Sequence, residues 1–150
     1  MNVPVEKVLN ARGKLIVGGD TFNSYLLYLA GNHKAARDRL IREHYEWYFG
    51  PVRNTTSDKI VAEIYAERGL EKPASYKESE PEIVMQAVVR RVTWYLEQLE
   101  DFRDHGFSTK EKIRMRQVGD QFQMISCGEN KVAAWAALGH KTVPDVKVSG

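Results

Sequence analysis

Residues 112–148 read KIRMRQVGDQFQMISCGENKVAAWAALGHKTVPDVKV, and this stretch decides the fold. From Lys112 to Val118, apolar Ile113 and Met115 alternate with Arg114 and Arg116, the period of a strand with one buried face. Gly119-Asp120 supplies turn chemistry, and Gln121 to Ser126 reads as the return strand of a β-hairpin. Cys127-Gly128-Glu129 then turns the chain into a helix expected from about Asn130 to Leu138, with Gly139 as its stop. A final strand is expected around Val143 to Val148. Met115 and Met124 read as core residues.

Upstream, Pro81 suits a first helical position, and Val88, Val92, Tyr95, Leu99 and Phe102 form one apolar face of a helix running to His105, with Gly106 beyond it. Residues 70–80 are polar, contain Pro73, and read as a connecting loop. Three helices are expected before it. The first starts near Asp20 or Thr21 and buries Phe22, Tyr25, Leu26 and Leu29. The second runs from about His33 to Tyr48, buries Leu40, Ile41, Tyr45 and Tyr48, and ends at Gly50-Pro51. The third is capped by Thr56, Ser57 or Asp58, buries Ile60, Val61, Ile64 and Tyr65, and stops at Gly69. Short strands are expected at Val3 to Leu9 and at Lys14 to Val17, the latter bounded by Gly13 and Gly18.

Composition sets the frame. The 150 residues are 43% hydrophobic and 28% charged, an ordinary globular mixture that argues against disorder. Lys and Arg number 22 against 20 Asp and Glu, a formal charge of +2, which excludes a polybasic chain but not a local basic patch. No apolar run approaches the roughly 20 residues that span a bilayer, and the first residues lack the pattern of a secretion signal, so a cytoplasmic protein is expected. Cys127 is the one cysteine; it cannot form an internal disulfide and is expected to be a small buried residue. The four histidines show no metal-ligand spacing, and no metal site is expected.

The chemistry is expected at the glycine corner. A helix start presents free N–H groups and a partial positive charge, glycine lets an anion approach the backbone, and Lys131 adds a cation in the first turn. Gly128 and Asn130 also have a plain reading, as turn residue and helix cap. Glu129 reads either as a general base or as a favourable negative residue at a helix start. Arg114 and Arg116, with Lys110 and Lys112 nearby, read either as a strip for nucleic-acid phosphates or as a solvated sheet face. The segment from His44 to Phe49, with Arg42 and Arg53 close by, suits base stacking or, more simply, helix packing.

Taken in order, EDFRDHGF (100–107), KIRMRQVGD (112–120), QFQMISCGENK (121–131), VAAWAALGH (132–140) and KTVPDVKV (141–148) resemble the ParB/sulfiredoxin fold over about residues 96–148. The resemblance implies an α+β architecture: a small mixed sheet covered by several helices, here with a helical N-terminal elaboration. The length of 150 residues favours one domain, with residues 1–80 mainly helical with short strands and residues 81–150 the long helix and the ParB/sulfiredoxin-like core. The resemblance also implies that the turn and helix start hold nucleotide phosphates. Partition proteins read Gly-Glu-Arg-Arg there and sulfiredoxins Gly-Cys-His-Arg; this chain reads Gly128-Glu129-Asn130-Lys131. Lys131 keeps the charge of the family's arginine but not its bidentate fork. Glu129 stands where sulfiredoxins carry their cysteine, so that activity is not expected. Partition proteins continue into a helix-turn-helix domain where this sequence stops at Gly150, so a DNA clamp is not expected either.

The resulting expectation is a nucleotide- or nucleic-acid-phosphate-binding protein, with Gly128, Asn130 and Lys131 on phosphate and Arg114 and Arg116 as helpers. One alternative is a small kinase or nuclease-like enzyme with Glu129 as base and Mg²⁺ bridging phosphates of a nucleotide. The other is a non-catalytic member that serves protein–protein contacts.

Overall fold

The structure is a computed structural model that describes residues 1–50 and 55–150. Pro51 and Arg53, named above, lie outside the described residues, as does the side chain of Thr56. The elements are β1 (Val3–Pro4), β2 (Val8–Leu9), α1 (Asp20–Leu29), α2 (His33–Tyr48), α3 (Thr55–Glu67), α4 (Pro81–His105), β3 (Arg114–Val118), β4 (Gln121–Met124), α5 (Glu129–Ala137), β5 (Thr142–Val143) and β6 (Lys147–Ser149). The architecture is α+β. The chain forms two compact units, one of residues 1–36 with 96–150 and one of residues 37–95. The division falls inside α2 and α4, not at the polar stretch 70–80.

The first unit is built on the expected hairpin. Strands β3 and β4 pair antiparallel with Met115 opposite Met124 and Gln117 opposite Phe122. Gly119 takes φ +64° at the first turn position, the conformation a tight hairpin of this hand requires and one most side chains avoid. Strand β2 joins β4 in parallel, with Val8 opposite Phe122, and β6 joins β3 in parallel, with Met115 opposite Val148, giving the order β2-β4-β3-β6. Val8, Met115, Phe122 and Met124 are all buried, so one sheet face is core, as the alternation predicts. The alanine-rich α5 buries Val132, Ala133, Ala134, Ala136 and Ala137 and lies against α1; short side chains let it sit close. Leu99 and Phe102, near the end of α4, are buried as well, and Phe102, Phe107 and Trp135 form an aromatic cluster with centroids 5.1–6.2 Å apart.

Four expectations are corrected here. The strand expected over Val3 to Leu9 is split by a 3₁₀ turn at Val5–Lys7, and its halves serve different sheets, β1 pairing with β5. The strand expected over Val143 to Val148 is likewise broken. Pro144 has no N–H for a ladder and Asp145 takes a left-handed φ of +54°, so β5 and β6 part company. Lys14 to Val17 forms no strand: only Leu15 bridges Leu9, because the Asn10 side-chain oxygen accepts from the N–H groups of Arg12 (2.9 Å) and Lys14 (3.0 Å) and curls the chain. In α1, Ser24 and Tyr25 are the buried pair, while Leu26 is 42% exposed.

The second unit is helical. Leu40, His44 and Tyr48 follow one another four residues apart on the buried side of α2, while Ile41 and Tyr45 are only half-buried. Val61, Ile64 and Tyr65 of α3 and Ile83, Val84, Ala87, Val88 and Val92 of α4 complete the core. The Tyr65 hydroxyl accepts the Glu80 N–H at 2.8 Å, fixing the chain just before α4 begins. The stretch from His44 to Phe49 is therefore packing material at His44 and Tyr48.

Candidate functional site

Strand directions place four loops of the first unit at one end of its sheet. Strands β2 and β4 are parallel, so the loop after Leu9 and the corner after β4 share an end. Strand β3 is antiparallel to β4, so residues 107–113 lead into it from that same end. Strand β6 is parallel to β3, so residues 144–146 arrive there too. In open α/β sheets ligands are held beyond the carboxyl ends of strands, and β2 and β4 present theirs at this end.

At the corner, Gly128 takes φ +129°, open only to glycine, and its carbonyl accepts the Val132 N–H at 3.1 Å to begin α5. A Cβ there would stand 3.6 Å from Ile113 and 3.7 Å from Met124, so the turn lies against the sheet's apolar end. No side chain caps α5. The amides of its first turn therefore carry the positive end of the helix dipole. The Lys131 ammonium donates to the Thr109 hydroxyl at 3.2 Å, bridging α5 to the 107–113 loop.

Glu129 is engaged otherwise. One of its carboxylate oxygens accepts the Ala11 N–H at 2.7 Å, tying the Asn10–Lys14 turn to the start of α5. The Ala11 carbonyl in turn accepts from the Gln123 amide at 3.1 Å, and the Gln123 oxygen accepts from the Arg116 guanidinium at 2.9 Å. Arg116 and Glu129 are thus the two ends of one polar chain along the outer face of the sheet. Of the expected residues, Gly128, Glu129, Asn130 and Lys131 share the corner. Arg114 stands at the same end, its N–H donating to the Ser126 hydroxyl at 2.9 Å, whereas Arg116 sits two residues, roughly 6.6 Å, further along the strand. Cys127 is exposed in the turn, not buried as expected.

An open hollow of about 230 Å³ adjoins the corner, lined by Phe107, Ser108, Thr109, Lys112, Ile113, Pro144 and Asp145. It is smaller than the roughly 300–1,000 Å³ of pockets that enclose a drug-sized ligand, so it has no room to enclose a whole nucleotide. Lys112 and Asp145, both of which line it, pair at 3.2 Å. Arg12, Lys14, Lys110 and Lys147 stand in the same four loops or at the start of β6, so cations outnumber Glu111, Glu129 and Asp145 at this end. At the opposite end, Lys7 lies 4.0 Å from Asp120 of the hairpin turn. Thr109, Ala11 and Gln123 escaped the sequence reading, whereas Lys112 already stood in the basic strip read around Arg114 and Arg116. Only the polar run Ser108-Thr109-Lys110, placed just before a strand, pointed to any of them.

The second unit holds the other unusual polar group. His44 is 2% exposed, and neither ring nitrogen has a hydrogen-bond partner. Its ring meets Trp47 edge-on at 4.9 Å and Tyr95 at 5.4 Å. Burial, reinforced by the nearby Arg91 charge, pulls its pKa from 6.5 down to about 3. Arg91 is itself buried and donates to the Tyr95 hydroxyl and, at 2.6 Å, to the Ser57 hydroxyl.

Among the described residues, no cluster of His, Cys, Asp and Glu is placed to hold a metal ion, and no helix is long and apolar enough to cross a membrane. No protein-family model matches this chain, and neither a curated protein nor a solved structure matches it.

Proposed function

We propose that this protein binds nucleic-acid phosphates at the corner end of its sheet, as a ParB/sulfiredoxin-like phosphate-binding protein. The observation that carries the reading is the convergence of cations from three loops distant in sequence, and from Lys147 at the start of β6, on one end beside an uncapped helix start. Phosphate oxygens suit both donors, the free amides of α5 and the ammonium groups of Lys112 and Lys131. The shallow hollow favours a polymer lying across the surface over a nucleotide held inside. The Glu129 carboxylate, held by the Ala11 amide, suits a structural tie better than a catalytic base, which favours binding over the kinase or nuclease-like alternative.

The test is fluorescence anisotropy with a labelled oligonucleotide. If about three phosphates are neutralised, affinity falls roughly 20- to 40-fold between 50 and 200 mM salt. Lys131→Ala and Lys112→Ala each weaken binding and flatten that slope by nearly one contact. Salt-independent binding, or none, refutes the reading and leaves a surface for protein contacts.

A further inference from the structure

The geometry points to the hollow beside the corner as a seat for one unpaired nucleobase, so that the partner is a single-stranded nucleic acid. This inference rests on the phosphate-binding reading and deepens it. Phe107 lines the hollow and is backed by Phe102 at 5.1 Å and Trp135 at 5.4 Å, so its ring is held rigid rather than free to fold away. Ile113 and Pro144 add apolar walls and Ser108 supplies a hydroxyl for a base edge, while the Thr109 hydroxyl donates to the Glu111 carbonyl at 2.6 Å and the Asp145 carboxylate pairs with Lys112. Thr109 is shared: it lines the hollow and accepts from Lys131, so a base seated there has its own phosphate beside the lysine and the start of α5. An aromatic floor next to a cationic track is the combination that holds single strands, because every base offers a face to stack while the backbone meets charge. A duplex keeps its bases paired and gains nothing from the ring. The volume agrees, being too small for a nucleotide yet open enough to admit a ring system from the surface.

The experiment compares an oligothymidylate of about 12 nucleotides, within the usual length of a single-strand site, with an abasic strand of equal length and a duplex. The abasic strand keeps every phosphate and removes every base. The unaltered protein is expected to bind the oligothymidylate roughly 5- to 150-fold more tightly than the abasic strand. Phe107→Leu, which keeps apolar contact with Phe102 and Trp135, is expected to erase most of that ratio while leaving abasic binding unchanged. In parallel, the unaltered protein is irradiated on a 5-iodouracil strand, which requires no variant to fold; crosslinks are expected within residues 107–113. Equal binding of oligothymidylate and abasic strand, a ratio that survives in Phe107→Leu, or crosslinks mapping elsewhere overturns the base seat while the phosphate reading stands. Binding to none of the three probes overturns the phosphate reading, and the base seat with it.

Discussion

Acid should weaken the helical unit through one residue. His44 is neutral in the folded chain down to about pH 3, but once unfolded it titrates at its ordinary 6.5. Between those values the unfolded chain binds a proton that the folded chain refuses, so stability rises with pH through this window and is lost as pH falls below 6.5. Moving from pH 7.5 to pH 5 converts an unfolded His44 from mostly neutral to almost wholly charged while the folded form stays neutral. The linkage integral over that interval is about 2 kcal/mol. The result is insensitive to the folded value, because a folded pKa of 4 in place of 3 changes it by less than about 0.1 kcal/mol. Urea unfolding followed by far-UV circular dichroism at both pH values measures it, with slopes compared to confirm that the same transition is observed. His44→Phe is the control: a ring of similar shape with no proton to gain and no nitrogen left without a partner, so it should be at least as stable at pH 7.5. The wild type should lose about 2 kcal/mol more than His44→Phe on acidification. Equal losses refute the assignment of His44 as the buried neutral group that makes the unit acid-sensitive.

Three further outcomes follow from the first unit. Glu129→Ala removes a charge-assisted bond to the Ala11 amide and should destabilise by about 1.5–3 kcal/mol in a thermal or urea melt, whereas Glu129→Gln, which keeps an acceptor, should lose roughly half as much. Glu129→Gln removes a negative charge from the cationic end while keeping the tie to Ala11 and should tighten oligonucleotide binding; weaker binding would make Glu129 a ligand-side group. Gly128→Ala meets only ordinary contacts at 3.6 Å, so its loss, about 1–3 kcal/mol by urea unfolding, comes from a backbone angle that alanine resists. Met115→Ala empties the centre of the sheet's core face and should cost about 2–5 kcal/mol in the same assay.

The hairpin, the long helix and the glycine corner were legible because each is written in local terms. Period-2 alternation in Lys112 to Val118, the stripe from Val88 to Phe102 and the glycines at 119, 128 and 139 need no distant partner to be read. Pairing across the chain was not legible. Nothing local shows that two residues at Val8-Leu9 join β4 in parallel, or that Lys147–Ser149 joins β3. The broken edge strands had a local cause, Pro144, but the run of valines around it reads as continuous. His44 fell in a stretch already open to a helix-packing reading; what no local pattern announces is that its ring nitrogens find no partner and that Arg91 is buried near it.

The site shows the same division between local and distant information. Gly128 to Lys131 is contiguous, so the corner can be read from one stretch. The charge around it cannot, because a net of +2 over 150 residues gives no hint of where the cations gather. They gather through three pairings: β2 parallel to β4, β3 antiparallel to β4, and β6 parallel to β3. Each pairing brings one more loop to the same end; the turn after Leu9, residues 107–113 and the corner carry lysine or arginine, and Lys147 opens β6 beside the fourth. The reversal at Gly119-Asp120 sends the remaining turn, with its acidic Asp120, to the far end beside Lys7. Reversing any one pairing would disperse these charges and dissolve the cationic end without altering a single residue of the corner. The electrostatics that favour a phosphate partner therefore belong to the topology, and the Ala11–Glu129 tie, which clips the β2 loop to α5, is the contact that keeps two of those loops together.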